Sequence, residues 1–250
     1  ADNASTDNSV SWLEQHYHDI PLIRFDKNYG FTGGYNKALE SIEATYYVLL
    51  SSDVEVSQGW LFPLIDQMKN NPDVAACQPK VRSYFERSKF EYAGAAGGFL
   101  DRWGVPLCRG RIFSVTEDDS GQYNSTQEIF WASGCCFAVR GEIWHKTGGL
   151  DIDFFAHMEE IDLCWRMKNL GYRIFSCPQS EVYHMGGQTL SYDNPKKLYL
   201  NSRNNLAMLT KNWPLWALIF KLPIRFVMDW TGALYFLSTR GFPSFKAILK

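Results

Sequence analysis

Residues 49–60 read LLSSDVEVSQGW. The run before and into it, TYYVLL at 45–50, is β-branched, aromatic and apolar, the composition of a buried strand. It ends on two serines and then on two acids one residue apart, Asp53 and Glu55. In a strand, residues i and i+2 point to the same side. The C-terminal ends of strands in an open α/β sheet are where ligands collect. Two carboxylates aimed together repel unless a cation lies between them. Mg²⁺ or Mn²⁺ suits such a place, since it takes one or two carboxylates and fills its shell with phosphate oxygens and water. The alternative is a solvated loop that happens to hold two acids.

Strand-like and helix-like units alternate around this stretch. SVSWLEQHY (9–17) reads as a helix with Ser9 or Ser11 at its N-cap, and IPLIRF (20–25) as a short strand. NYGFTGGYNKALESI (28–42) is a glycine-rich turn running into a helix. WLFPLIDQMKNN (60–71) predicts a helix and DVAACQPKV (73–81) a strand. This rhythm implies an α/β fold whose sheet is mostly parallel and flanked by helices. Residues 82–128, rich in Gly, Arg, Asp and Ser, look like a long excursion over one face. Order returns with a strand-like run at 129–140, a helix at 157–172 closed by Gly171, a strand at 172–178, and EVYHMGG (181–187) as another strand or loop.

The 250 residues are 46% hydrophobic, enough for one large domain with a full core. A net charge of −2 leaves no basic field, which argues against a nucleic-acid partner. Six cysteines, at 77, 108, 135, 136, 164 and 177, make no CxxC pair and fit reduced, buried thiols of a cytoplasmic protein. The chain opens on ADNAST without Met and stops on KAILK, and so reads as a fragment of a longer protein. From Trp213 it is apolar but interrupted by Lys221, Arg225 and Asp229, spaced i, i+4, i+8 on one helix face. Pro223 would suit a first helical turn. Residues 211–250 therefore predict an amphipathic helical segment. It either packs on the domain, lies at a membrane surface, or leads to a membrane segment.

Taken in order, the motifs DNASTDNS, NYGFTGGYN, LLSSDVEV, WASGCCFAVR, GGLDIDFFAHMEEIDLCWR and GYRIFSCPQSEVYHMGG resemble the family 2 glycosyltransferases, inverting enzymes of the GT-A fold. The likeness is to their rhamnosyltransferase and galactofuranosyltransferase branch and covers residues 1 to about 210. It implies a GT-A domain over 1–210 that lacks its first strand here. It also implies a metal-dependent transferase moving a sugar from a nucleoside-diphosphate sugar, of dTDP-rhamnose or UDP-sugar type. The acceptor would be a glycan or lipid-linked molecule in surface polysaccharide synthesis. By the same resemblance Asp53, Glu55 and His184 would hold Mg²⁺ or Mn²⁺. Asp2 and Asn3 in the opening loop, and Asn28, Gly30, Gly34 and Asn36 in the glycine-rich stretch, would join Asp53 in binding the donor. The helix start after those glycines would favour a diphosphate.

In the acidic cluster at 159–162 the family reads E-D-x-D, and the Asp of its E-D is the general base. Glu160 stands there, with Glu159 or Asp162 as fallbacks, although a helix first turn favours acids in any case. Trp131 and Glu159 would face the acceptor, unless Trp131 is a core residue, and Arg203 would meet phosphate or acceptor. The resemblance and the last helix together place the protein in the cytoplasm, at the inner face of the plasma membrane where that helix touches lipid. A non-catalytic nucleotide-sugar-binding protein of the same fold is the rival, favoured by the Glu that replaces Asp at 160. A nicotinamide-dependent oxidoreductase is disfavoured by the absence of GxGxxG.

Overall fold

The computed structural model describes residues 1–112, 115–186 and 194–249. Its elements in chain order begin with α1 (Ser9–His16), α2 (Gly30–Leu39), β1 (Tyr46–Leu50), β2 (Val54–Val56), α3 (Leu61–Asn70) and β3 (Val74–Ser83). The excursion carries two small hairpins, β4 (Gly98–Leu100) with β5 (Pro106–Cys108), and β6 (Arg111–Ile112) with β7 (Val115–Thr116). Then come β8 (Gln127–Ile129), β9 (Cys136–Arg140), α4 (Gly141–Thr147), a 3-10 turn (Ile152–Phe154), α5 (Glu159–Asn169), β10 (Arg173–His184), α6 (Pro195–Asn212), α7 (Leu215–Arg240) and α8 (Phe242–Leu249).

The sheet runs β1-β9-β3-β10-β2, with β8 also on β10. It is mixed rather than mostly parallel. β3 and β10 pair parallel, whereas β9 lies antiparallel between β1 and β3, and β2 and β8 are antiparallel to β10. β1, β3 and β10 still point the same way, so their C-terminal ends share one edge. The period-2 alternation of β1 and β9 then divides the core. Tyr47, Leu49, Phe137 and Val139 face α4 and α5 through Ile143, Trp144, Ile161 and Leu163. Ala138 and Cys77 face the other way, onto Leu64 and Met68 of α3.

Several local expectations change. Residues 20–25 form a single bridge, Asp2 to Arg24, because only residue 2 lies beside them to pair. α1 is capped at Asn8, and the Ser9 amide donates to Asp7 Oδ1 at 2.9 Å. The predicted strands at 172–178 and 181–187 are one strand, β10. Its ladder to β3 shifts register between Cys177 and Glu181, where Pro178, lacking an N–H, sits without breaking it. Gly187 lies outside the described residues. The run at 129–140 is not one strand: β8 ends at Ile129, β9 begins at Cys136, and residues 130–135 join them. Pro223 lies inside α7, whose N-cap is Pro214. All six cysteines are free and buried, as their spacing implies.

Candidate active site

β1 stops at Leu50, and the chain turns at Ser52–Asp53 before β2. That turn breaks the period-2 argument for the two acids. Asp53 Oδ1 swings to within 3.3 Å of His184 Nε2, at the end of β10. Glu55 is opposite Tyr183, and Val54 is opposite His184, so Glu55 and His184 point to opposite faces of the sheet. Glu55 pairs instead with Arg87 at 2.7 Å, both side chains about half exposed. It drops out of the predicted metal set. Among the described residues no three His, Cys, Asp or Glu side chains gather into a metal-binding cluster.

The remaining pair has support behind it. His184 Nδ1 lies 3.4 Å from Glu91 Oε1, an ion-pair distance that falls short of good hydrogen-bond geometry. Glu91 is buried, and its amide donates to the Val81 carbonyl at 3.1 Å. Burial alone would depress the His184 imidazole, but Asp53 and Glu91 together overcome this and raise it to about 9. The same contact from His184 holds the Asp53 carboxyl below its usual range. Glu91 was missed from sequence because it sits in the irregular excursion. The only clue was an acid between aromatics in KFEYAG.

A loop at the start of β9 joins this pair to the second acidic cluster. Ser51 donates its amide to the Cys135 carbonyl at 2.8 Å, so the end of β1 abuts Cys135. Burial raises the Cys135 thiol far above its ordinary range, and the charges of Glu91 and Asp53 add to the effect. The preceding residue, Gly134, lies against Glu160: a Cβ there would sit 3.7 Å from Glu160 Oε1. Asp53 and Glu160 therefore flank one short loop at the shared strand edge. Oε2 of both Glu159 and Glu160 is buried without a hydrogen-bond partner. Burial pushes the Glu160 carboxyl up to about 7, against backbone N–H groups that pull it down, Gly134 among them. Glu159, 4% exposed, is raised well above a normal Glu by burial and then by the neighbouring Glu160.

The segment leading into α5 is strained. Phe155, His157 and Met158 all have positive φ, at 62°, 72° and 72°. Asn204 of α6 holds it, donating to the carbonyls of Phe154, Ala156 and His157 at 3.0, 2.8 and 2.7 Å. Arg203 donates to the Asp153 carbonyl at 2.8 Å, so it braces this loop rather than reaching for phosphate. His157 is pushed down to about 4 by burial, with Lys197 adding to the shift, and is neutral. Asp162 is fully buried in contacts with Arg166, Lys211 and Asn212, which removes it as a fallback base.

The glycine-rich stretch serves as scaffold. The Phe31 and Thr32 amides at the start of α2 donate to the Phe155 carbonyl, and those of Tyr29 and Gly30 go to Asn3 Oδ1 and Asn28 Oδ1. That helix start is filled from within, so the predicted diphosphate seat is taken. Gly30, at φ +74°, leaves no room for a Cβ beside the Phe155 ring, and Gly34 packs on Asn3. Asn36 exchanges two hydrogen bonds with the Leu150 backbone. Asp2 accepts from the Ser5 amide at 3.2 Å. Trp131 is a core residue, 5% exposed, its indole N–H donating to the Phe99 carbonyl at 2.9 Å. It offers no face to a sugar. A surface pocket lined by Lys80, Arg82, Asp119, Asn124 and Glu181 opens on the face opposite His184, and its charges pair with one another.

The family model for glycosyl transferase family 2 matches residues 1–146, more than half of the chain. The chain belongs to glycosyl transferase family 2. It is thus a transferase with a GT-A-type α/β fold. An N-acetylglucosaminyl-diphospho-decaprenol L-rhamnosyltransferase of Mycobacterium tuberculosis is 22% identical over 94% of this chain and 80% of its own length. The low-salt glycan biosynthesis hexosyltransferase Agl10 of Haloferax volcanii is 20% identical over 90% of this chain and 77% of its own. Among solved structures, the mannosyltransferase PcManGT of Pyrobaculum calidifontis, in complex with GDP-Man and Mn²⁺, superposes with a TM-score of 0.55 at 15% identity. It covers 84% of this chain, which spans about half (52%) of that one. This likeness speaks for the fold alone.

Proposed function

We propose that this family 2 glycosyltransferase moves a sugar from a nucleoside-diphosphate sugar to a hydroxyl of a glycan or lipid-linked acceptor, with inversion at the anomeric carbon. The observation that carries the reading is the shared edge: Asp53 with His184 on one flank of the 133–135 loop, Glu160 on the other. Asp53 Oδ1 and His184 Nε2 would hold a divalent cation, Mg²⁺ or Mn²⁺, and Glu91 stands 3.4 Å behind the other ring nitrogen, on the side from which a carboxylate orients a ligating histidine. Such a cation supplies charge to offset the leaving nucleoside diphosphate. Glu160 takes the proton of the acceptor hydroxyl as that oxygen bonds to the anomeric carbon and the diphosphate oxygen departs with its electron pair. Glu159, whose carboxyl burial pushes well above the usual range, borders the acceptor side. Asp2, Asn3, Asn28, Gly30, Gly34 and Asn36 shape the donor end as framework, and residues 1–210 act as the catalytic unit.

The likeness to the Mycobacterium rhamnosyltransferase supports a rhamnose donor and a polyprenyl diphosphate-linked acceptor. The Pyrobaculum protein of the same fold was solved with GDP-Man and Mn²⁺, ligands of the class proposed here. Release of nucleoside diphosphate from a panel of dTDP- and UDP-sugars, with Mn²⁺ and with EDTA, tests the reaction. Turnover should require the cation. Donor binding that raises the melting temperature without any diphosphate release would instead establish the non-catalytic binder.

Metal binding separates the acids. Glu91→Gln should weaken Mn²⁺ affinity about 10-fold, and Asp53→Asn should weaken it further. Glu55→Gln should leave it unchanged, because Glu55 faces Arg87 across the sheet. Titration of Mn²⁺ by calorimetry or electron paramagnetic resonance reads all three. Equal losses for Glu55→Gln and Asp53→Asn would return Glu55 to the site.

A further inference from the structure

α7 is built inside out. The charged stripe of Lys221, Arg225 and Asp229 faces the protein. Arg225 is buried, its Nε 2.9 Å from Asp229 and its Nη1 donating to the Trp103 carbonyl at 3.2 Å. Lys221 Nζ donates to the Arg102 carbonyl at 3.0 Å. Ala217 and Ala233, together with Arg225, mark the inward line at steps of eight. The opposite side is apolar and exposed, with Trp230 at its edge packing on Phe245 of α8. Trp216, Phe220, Val227, Trp230, Leu234 and Leu237 recur at the spacing of one helix face and are all exposed, Phe220 by 70%. From Trp216 to Leu237 this stripe runs about 32 Å. So long an exposed apolar face marks an interaction surface.

The charge around the stripe selects the partner. Of the basic side chains in residues 213–249, Lys221 and Arg225 turn inward, while Arg240 and Lys246 are exposed, and the segment holds a single acid. That acid, Asp229, turns inward to Arg225. Arg102, on the loop that α7 clasps, Arg240 and Lys246 are exposed. The rim is therefore cationic. A second copy of the chain would bring cations against cations in a two-fold contact, whereas an anionic surface complements them. No helix of the described residues is long and apolar enough to cross a membrane. An apolar face with aromatic anchors and a basic border lies in the plane of the interface.

We propose that the outer face of α7 docks on an anionic lipid surface, its Trp and Phe side chains set among the headgroups. This deepens the proposed function by naming the surface on which a lipid-linked acceptor would be met. Its deciding readout is lipid binding, with turnover used only to check the variant's fold, so each reading can fail without the other. The purified chain is sedimented with phosphatidylglycerol or phosphatidylcholine vesicles, and its Trp fluorescence is followed with brominated lipid. Partition onto phosphatidylglycerol should exceed that onto phosphatidylcholine about tenfold or more, with quenching on binding. The combined Phe220→Glu, Val227→Glu and Leu234→Glu variant should stay in the supernatant and keep its turnover on a soluble acceptor. Retained binding by that variant, equal binding to both lipids, or no binding would overturn the proposal. So would a dimer in sedimentation velocity that the same substitutions dissolve.

Discussion

Glu160→Gln should lower turnover by about 10²- to 10⁴-fold, the range for loss of a general base, with Mn²⁺ affinity kept. Gln preserves shape and removes the basic oxygen. The pH dependence gives a second signature. A base held at about 7 is protonated below neutrality, so the wild-type rate should rise as pH increases through 7. Stability should move the opposite way. The folded pKa lies above the usual Glu value of 4.5, so the protonated form favours folding. That contribution is full below about 4.5 and is lost as pH rises through 7. Glu160→Gln stays neutral and should therefore melt higher than wild type at pH 8, with the difference vanishing toward pH 5. Glu160→Asp keeps a carboxylate but withdraws it by one carbon, and should cost on the order of 10²-fold. A Gln variant as active as wild type would remove Glu160 from the chemistry. Equal melting temperatures at pH 8 would show that its burial costs nothing.

The sequence told most where apolar period and motif order coincided. α2, α3, α5 and β1 fall within a few residues of their expected spans, because each has one clear buried stripe. Strand direction was not legible: CCFAVR says strand, but nothing in it says that β9 enters antiparallel between β1 and β3. Asp53 was singled out by its place after the apolar strand and His184 and Glu160 by family order, and the fold brings the three to one edge. Glu55 was lost to a turn that a spacing rule cannot see. Asn28 and Asn36 show the converse, since their side chains are spent inside the protein: Asn28 accepts from the Gly30 amide and the Asn3 side chain, and Asn36 bonds the distant Leu150 backbone. Glu91 and Asn204 support the site from segments with no local signal, and only tertiary contact reveals them. The charged stripe of α7 was legible as a stripe, while its inward direction was not, because the Arg102 and Trp103 carbonyls that claim it come from the excursion.

Asp162→Ala should cost roughly 3 kcal/mol of stability and leave the chemistry of the remaining folded protein largely intact. Two positions from Glu160, the same type of group has the opposite job. The Asp162 carboxylate is fully buried and accepts from Arg166 Nε at 2.8 Å, Lys211 Nζ at 3.0 Å and Asn212 Nδ2 at 2.8 Å. It ties α5 to the end of α6. Its removal leaves two cations beside an uncompensated hole, the situation in which a broken buried pair is most costly. The loss is smaller than for a wholly buried triad, because Arg166 and Lys211 are partly exposed and Lys211 keeps Asp151 at 2.6 Å. For a chain of this size the melting temperature should fall by about 10 °C. Asp162→Asn, which can still accept from Asn212, should fall less. The loosening has a local consequence: α6 carries Asn204, whose three hydrogen bonds hold the strained turn before Glu160. Hydrogen exchange across residues 154–158 should therefore quicken in the Ala variant. An unchanged melting temperature together with a large fall in turnover would assign the base to Asp162 instead of Glu160.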